Sequence, residues 1–292
     1  DPFYFGLVGV WLQWLYGVKL IVHFHGDFWE NPMWRQERWF NPLLLLVSFF
    51  VVRFADGIRV VSHTIESKLL RHGIPRERIA VISTPVDASW LTSYDPQGVA
   101  RLRERYAGRH VTLFVGRLVA VKNIPFLLRI FNDVRRMVPN ALLLVAGDGT
   151  EEVHLRKIIH SFELDTHVEF LGLCAREALT RYYQIAEVVV LTSFSEGLPK
   201  VLVEAAVCGK PLISTMVSGA DELIQDGVNG FLIPQGDGKS FTLKLTLLLR
   251  DAALREKMGN ASRRIVAERF ADTTDQVVEF WRKVSSVSYN KI

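Results

Sequence analysis

Between residues 111 and 233 the sequence alternates, almost without exception, between short apolar runs rich in β-branched residues and longer stretches of helical character. That alternation leaves a chain few options. A strand buried on both faces reads as a continuous apolar run, and reaching a parallel neighbour needs a crossover helix. Runs 111–115, 141–146, 167–171, 188–191, 211–214 and 230–233 predict strands, and 125–137, 151–162, 176–185, 199–208 and 221–225 predict helices between them. The fold class is α/β with parallel strands, doubly wound and Rossmann-like, and its ligand belongs at the carboxyl ends of the strands.

A second series precedes this one. Runs 19–24, 57–62 and 79–82 predict strands, a helix runs from 62 or 63 to 71 and stops at Gly73-Ile74-Pro75, and a long Trp-rich helical region spans 32–54. From Asp87 to Gly108 the character changes: Pro96, Gly98 and a charged helix over 101–105 read as a connection between domains. The expected division is 1–107 for a first domain with its linker, 108–250 for a second, and 251–292 for C-terminal helices, the last packing back on the first domain.

At 292 residues, with 49% apolar and 23% charged residues, the chain can bury a large core, and disorder is excluded. A formal charge of +4 is mildly basic, and no Lys/Arg run is interleaved with stacking aromatics, so nucleic acid is not the expected partner. An anionic phosphate ligand or an acidic membrane surface fits that charge. Cys174 and Cys208 have neither disulfide-framework nor metal-site spacing and read as small buried hydrophobes in a reducing, cytoplasmic setting. No signal peptide is visible, and the longest apolar run, Leu43–Val52, is too short to span a bilayer.

The chemistry concentrates in Ser195-Glu196-Gly197-Leu198-Pro199 through Glu204. A strand ends near Leu191, a polar loop follows, and a helix is expected with Pro199 at its first position and a stop at Gly209. Free amides near Gly197 to Lys200 then suit a phosphate, and Gly197 lets a ligand approach the backbone. Two carboxylates flanking such a helix start can hydrogen-bond sugar hydroxyls on both sides of a diphosphate. The alternative is that Glu196 is an ordinary helix-N-terminal acid and Glu204 a solvated helix residue.

Glu-x7-Glu with Gly-Leu-Pro inside it resembles the signature of glycosyltransferase family 4, the retaining enzymes of the two-domain GT-B fold. Further elements stand in that family's order: Gly116-Arg117-Leu118 with Lys122-Asn123, Gly147-Asp148-Gly149, Val168 to Gly172, Cys208 to Ile213, Val217 to Leu223, and Asp226 to Phe231. The resemblance implies two Rossmann-like domains with parallel sheets, an acceptor-side one within 1–107 and a nucleotide-sugar-binding one over 108–250. It implies a sugar transferred from a nucleoside-diphosphate sugar to a glycan or lipid-linked acceptor, with retention, in bacterial surface polysaccharide or glycolipid synthesis. It also implies no metal and no cofactor beyond the nucleotide-sugar co-substrate.

By the same resemblance Gly116, Arg117 and Lys122 hold the diphosphate, and the two cations stabilise charge on the leaving group. Glu204 accepts from the ribose hydroxyls, Glu196 contacts the donor sugar, Gly197 and Leu198 offer amides to the distal phosphate or sugar, and Leu173 touches the base. His25 is expected to face the transferred sugar, with Asp27 beside it; His23, two residues away on the same strand face, competes for that role. A structural histidine remains open, and a metal site at His-x-His-x-Asp lacks further ligands.

Two departures from the family stand out. Its opening strand and glycine-rich loop have no counterpart, so the first domain is expected to be incomplete, and Thr84-Pro85-Val86-Asp87 replaces Asn-Gly-Val-Asp. Trp29, Trp34, Trp39 and Phe40, mixed with Arg35, Arg38 and Arg53, suggest peripheral contact with an anionic membrane; a helix packed on the sheet is the alternative. A nucleotide-sugar epimerase of the same fold and a nucleotide-sugar-binding fragment without activity remain as alternative functions. A phosphorylase would need a cofactor-anchoring lysine and a far longer chain.

Overall fold

The computed structural model describes residues 1–84, 89–92, 95–269 and 273–286. Pro85, Val86 and Asp87 of the Thr-Pro-Val-Asp element lie outside them. The chain forms two compact units: Asp1–Pro85 with Ser195–Leu198 and Phe270–Ile292, and Val86–Phe194 with Pro199–Arg269.

The first unit contains α1 (Tyr4–Tyr16), β1 (Ile21–Phe24), α2 (Pro32–Glu37), α3 (Asn41–Phe54), β2 (Gly57–Val60), α4 (His63–Arg71) and β3 (Ile79–Val81). Its three strands are parallel in the order β1-β2-β3, with Val22 opposite Ile58 and Ile58 opposite Ile79. Val22, Phe24, Ile58 and Val60 form the core with Val51 and Val52 of α3 and Leu69 of α4. Ser62 starts α4 by accepting from the Ile65 amide at 3.4 Å. The sequence pattern does not announce α1: it is apolar on nearly every side, so no helical period shows. It is tied down by buried Asp56, which accepts from Gln13 Nε2 at 2.5 Å and from the Leu20 amide at 2.8 Å.

The second unit opens with α5 (Ser89–Thr92) and α6 (Pro96–Arg105). Asp95 caps α6 through the Gly98 amide at 2.9 Å and pairs with Arg181. Both helices lie in the stretch expected as the connection between domains, and they group with this unit. Then come β4 (His110–Val115), α7 (Ile124–Met137), β5 (Ala141–Ala146), α8 (Glu152–Ser161), β6 (Val168–Gly172), α9 (Arg176–Ile185) and β7 (Val188–Leu191). The unit closes with α10 (Lys200–Val207), β8 (Leu212–Thr215), α11 (Ala220–Leu223), β9 (Gly230–Ile233), α12 (Gly238–Arg250) and α13 (Ala252–Arg269). The six strands form one parallel sheet in the order β6-β5-β4-β7-β8-β9.

The segment 251–292 divides. Helix α13 stays with the second unit, burying Met258, Ile265 and Val266. Helix α14 (Thr274–Ser286) belongs to the first, where Val277, Phe280 and Val284 cover Ile82 with Ile21 and Ala80. Among the described residues no helix is long and apolar enough to cross a membrane.

Candidate functional site

In the second unit the sheet reverses its winding between β4 and β7: β5 and β6 lie on one side, β8 and β9 on the other. In a doubly wound sheet the crevice at that reversal is where ligands bind. The loops leaving the two strands there are the ones that carry the sequence motifs.

After β4 come Gly116, the exposed Arg117 and the fully buried Leu118. A short 3-10 turn, Ala120–Lys122, follows, and Asn123 in left-handed conformation opens α7. The loop after β5 lies directly against this segment. A Cβ at Gly147 would sit 2.0 Å from the Gly116 carbonyl oxygen, and Gly147 has φ 137°. Backbone bonds complete the joint: Gly116 N to Ala146 O at 2.9 Å, and Leu118 N to Asp148 O at 2.6 Å. Gly147 is therefore a brace under Arg117, because only a residue without a side chain lets the loops touch.

The loop after β7 is bound to the same turn. Thr192 Oγ1 donates to the Lys122 carbonyl at 3.1 Å, and the Phe194 amide to the Val121 carbonyl at 2.8 Å. Lys122 is half-buried, and its Cε passes 3.5 Å from where a Gly116 Cβ would stand. Gly116, Arg117 and Lys122 thus share one rigid edge. At the end of β6, Leu173 is 80% exposed, an apolar side chain facing solvent.

Helix α10 begins at Lys200, one residue later than expected; Pro199 is its N-cap, and the Leu202 amide bonds back to its carbonyl at 2.9 Å. Glu204 is half-buried, not a solvated helix residue. Burial raises its carboxyl above the ordinary range, opposed by a hydrogen bond from Tyr183 and by Lys200 and Arg176. Tyr183, fully buried on α9, donates its hydroxyl to Glu204 Oε2 at 2.7 Å. No motif flags Tyr183; its only sequence signal is a position on the apolar face of a predicted helix.

The other residues of the signature group with the first unit. Asn31 holds their loop: its Nδ2 donates to Ser195 Oγ and to the Asp27 carbonyl, both at 2.7 Å, while its Oδ1 accepts from the Trp34 amide at 3.1 Å to start α2. A Cβ at Gly197 would lie 2.1 Å from the His25 carbonyl oxygen, and Leu198 packs on the core of that unit. Gly197 therefore brings the backbones of 25–26 and 197 together, and half-buried Glu196 stands beside that contact. Asn31 is a second residue that sequence reasoning missed, since its role lies in bonds 164 residues apart.

The two histidines differ sharply. His23 lies beside Arg59, whose Nη1 is 3.5 Å from its Nδ1, and against Trp281 of α14 at 6.3 Å. Burial, then the Arg59 charge and His25, lower its pKa to about 4, so it is neutral near pH 7. His25 is exposed, its ring centroid 5.9 Å from that of His23. Asp27 is engaged by Lys68, which reaches both carboxylate oxygens at 2.7 Å. Both cysteines are free thiols. Among the described residues no group of three or more His, Cys, Asp or Glu comes together to hold a metal ion.

Of the interfacial aromatics, Trp29 is buried and donates to Ser48 Oγ at 2.8 Å, and Trp34 stacks on Phe3 at 5.4 Å. Trp29 belongs to the core of this unit, and the half-buried Trp34 packs on Phe3 and Phe28. Trp39 is 91% exposed.

The sequence pattern of Glycosyltransferase Family 4 matches residues 1–90. Alpha-D-kanosaminyltransferase of Streptomyces kanamyceticus is 26% identical over 275 residues, 92% of this chain and 71% of that protein. The GDP-mannose-dependent alpha-(1-6)-phosphatidylinositol monomannoside mannosyltransferase of Mycolicibacterium smegmatis is 29% identical over 218 residues, 72% of this chain and 57% of that protein. Among solved structures, Anabaena HepE in complex with UDP superposes with a TM-score of 0.83 at 24% identity, covering 97% of this chain and 76% of that one. Sucrose-phosphate synthase of Thermosynechococcus elongatus gives 0.85 at 22% identity, covering 97% and 72%. The α/β fold with two parallel sheets is the one these GT-B structures share. The pattern of the glycosyl transferases group 1 matches residues 103–265, more than half of the chain, and the protein belongs to that family.

Proposed function

We propose that this protein transfers a glycosyl group from a nucleoside-diphosphate sugar to a glycan or lipid-linked acceptor, with retention of anomeric configuration. The reading rests on one observation: Gly116, Arg117 and Lys122 on one side, and the β7 loop leading to Glu204 on the other, flank the reversal point of the parallel sheet. Arg117 and Lys122 clamp the diphosphate and offset the charge that grows on it as the glycosidic bond breaks. Cations in those positions do the work a metal would do, so the donor needs no other cofactor. Glu204 receives the ribose hydroxyls, and Leu173 lies against the base.

Glu196, with the Gly197 and Leu198 amides, orients the donor sugar, and His25 faces the transferred group. His23 is less suited to that task because it is half-buried against Arg59 and Trp281. Retention follows if acceptor and leaving diphosphate occupy the same face of the sugar, Glu196 steadying an oxocarbenium-like state. The kinship to a kanosaminyl- and a mannosyltransferase, and to a structure that holds UDP-glucose, supports a nucleotide-sugar donor, and bacterial surface polysaccharide or glycolipid synthesis is the setting proposed.

We place the protein in the cytoplasm, in peripheral contact with an anionic bilayer. Trp39, beside Arg38 in the chain and 91% exposed, supports that contact, with Trp11 at 58% and Trp14 at 82% exposure. Co-sedimentation with vesicles that ignored anionic lipid content would remove it.

The test of the donor reading is calorimetry with UDP, GDP and ADP, at least one of which binds. Failure of all three sinks it. Release of free sugar from the matching nucleotide sugar then separates a transferase from a protein that only binds its donor.

A further inference from the structure

A carboxylate that must meet two vicinal hydroxyls works best if it is already pointing at them. A free glutamate side chain loses rotamer freedom when a ligand fixes it, and that loss lowers affinity. Glu204 has a support that removes this loss.

The support is Tyr183. Its ring is fully buried between α9 and α10, so its hydroxyl has no water and must find a protein partner. Two acceptors are in range: Glu204 Oε2 at 2.7 Å and the Val201 carbonyl at 3.4 Å. The single proton goes to the nearer and charged oxygen, a charge-assisted bond stronger than its neutral equivalent. A carboxylate has about four lone-pair sites and Tyr183 occupies one, so acceptor capacity remains for a ligand. The ring is itself fully buried, so it has no room to follow Glu204 if that side chain swings away.

We propose that Tyr183 is a positioning residue that fixes the Glu204 carboxylate for the ribose hydroxyls, so that the Tyr183–Glu204 pair sets the preference for ribonucleotides over 2′-deoxyribonucleotides. This rests on the donor-site reading above, in which Glu204 meets the ribose. Tyr183 touches no substrate atom; it acts through Glu204.

The experiment measures binding of whichever diphosphate the protein takes, against its 2′-deoxy analogue, by calorimetry on four proteins: wild type, Tyr183→Phe, Glu204→Gln and the double variant. Phenylalanine keeps the ring and removes only the hydroxyl. Wild type prefers the ribonucleotide, and Glu204→Gln abolishes most of that preference. Tyr183→Phe lowers the ratio about three- to tenfold, the value of one hydrogen bond, and the double variant discriminates no worse than Glu204→Gln alone. Because the readout is a ratio on one protein, a modest loss of folded fraction does not imitate it, and thermal melts of each variant confirm folding.

If Tyr183→Phe keeps the wild-type ratio, or if the two changes add in the double variant, Tyr183 only fills the core and the inference is overturned while the donor site stands. If wild type binds a diphosphate but treats ribose and deoxyribose alike, the placement of Glu204 is itself wrong and the inference falls with it.

Discussion

Replacing Gly147 by alanine tests whether the loop that carries Arg117 is braced from beneath. The new Cβ would stand 2.0 Å from the Gly116 carbonyl oxygen, where ordinary contact begins near 3.4 Å, so the two loops must part by about 1.4 Å. Alanine at φ 137° adds backbone strain of about 1–3 kcal/mol. Parting the loops also weakens the Gly116–Ala146 and Leu118–Asp148 backbone bonds, each worth about 1 kcal/mol. The sum is about 2–5 kcal/mol, and at about 2–4 °C per kcal/mol for a unit of this size the melting midpoint falls roughly 5–15 °C. Moving Arg117 by the same 1.4 Å or so removes a charge-assisted phosphate contact worth about 1.5–3 kcal/mol, roughly a ten- to hundredfold loss of nucleotide affinity. Circular-dichroism melts read the first effect, calorimetry with the bound diphosphate the second. A variant with wild-type melting and affinity refutes the brace; one that melts early but binds normally shows that the joint serves the fold and not the site.

Four further substitutions address other residues. Gly197→Ala forces its Cβ to within 2.1 Å of the His25 carbonyl, so the loop bearing Glu196 must shift and donor turnover falls roughly a hundredfold; steady-state sugar release checks it, and an unchanged rate rejects a positioned Glu196. Arg117→Ala and Lys122→Ala each lower kcat/KM by about 10²–10³ if they stabilise the leaving diphosphate; kinetics showing normal turnover in either variant would reject that residue's role. His23 titrates at about 4 in the folded chain, below the ordinary histidine value of 6.5, so between those values the unfolded chain holds the extra proton. Stability is then full above pH 6.5 and is lost as pH falls towards 4, by at most about 1.4 kcal/mol per pH unit. Denaturant midpoints across that window read the slope, which His23→Gln flattens; an unaltered slope assigns it to another group.

The regular part of the fold was legible because nothing disguises it. Helix α9 and strands β7 and β9 coincide with the runs 176–185, 188–191 and 230–233, and Pro234 stops the last of them. Helix α1 was illegible for the opposite reason: with Leu, Val, Trp and Phe around its whole circumference, it offers no period to count. The strands also hid the difference between His23 and His25. Two residues apart, they share a face by spacing alone, and only Arg59 and Trp281, the latter 258 positions from His23 in the chain (281 − 23), make one half-buried and the other exposed. Gly147 and Gly116 were both visible as motif letters, but their contact was not, because a sequence does not say which two loops will touch.

The signature itself is the most instructive case. Glu196 and Glu204 look like one motif, yet their supports are unrelated: Tyr183 holds Glu204, while Asn31 and the Gly197–His25 contact hold the loop of Glu196. Independent supports should fail independently. Asn31→Ala removes the bonds to Ser195 Oγ and the Asp27 carbonyl and the start of α2, a stability cost of about 1 kcal/mol from the cap alone. In the donor reading the loosened loop weakens hold on the sugar and leaves the ribose contact intact. Asn31→Ala therefore lowers the affinity ratio of nucleotide sugar to bare diphosphate, while the ribose-to-deoxyribose ratio stays at the wild-type value; Tyr183→Phe does the reverse. Calorimetry with the nucleotide sugar, the diphosphate and its 2′-deoxy analogue reads both ratios. If Asn31→Ala depresses the two ratios together, the acids share one support, and the division of labour between sugar and ribose argued from their separate anchors is wrong.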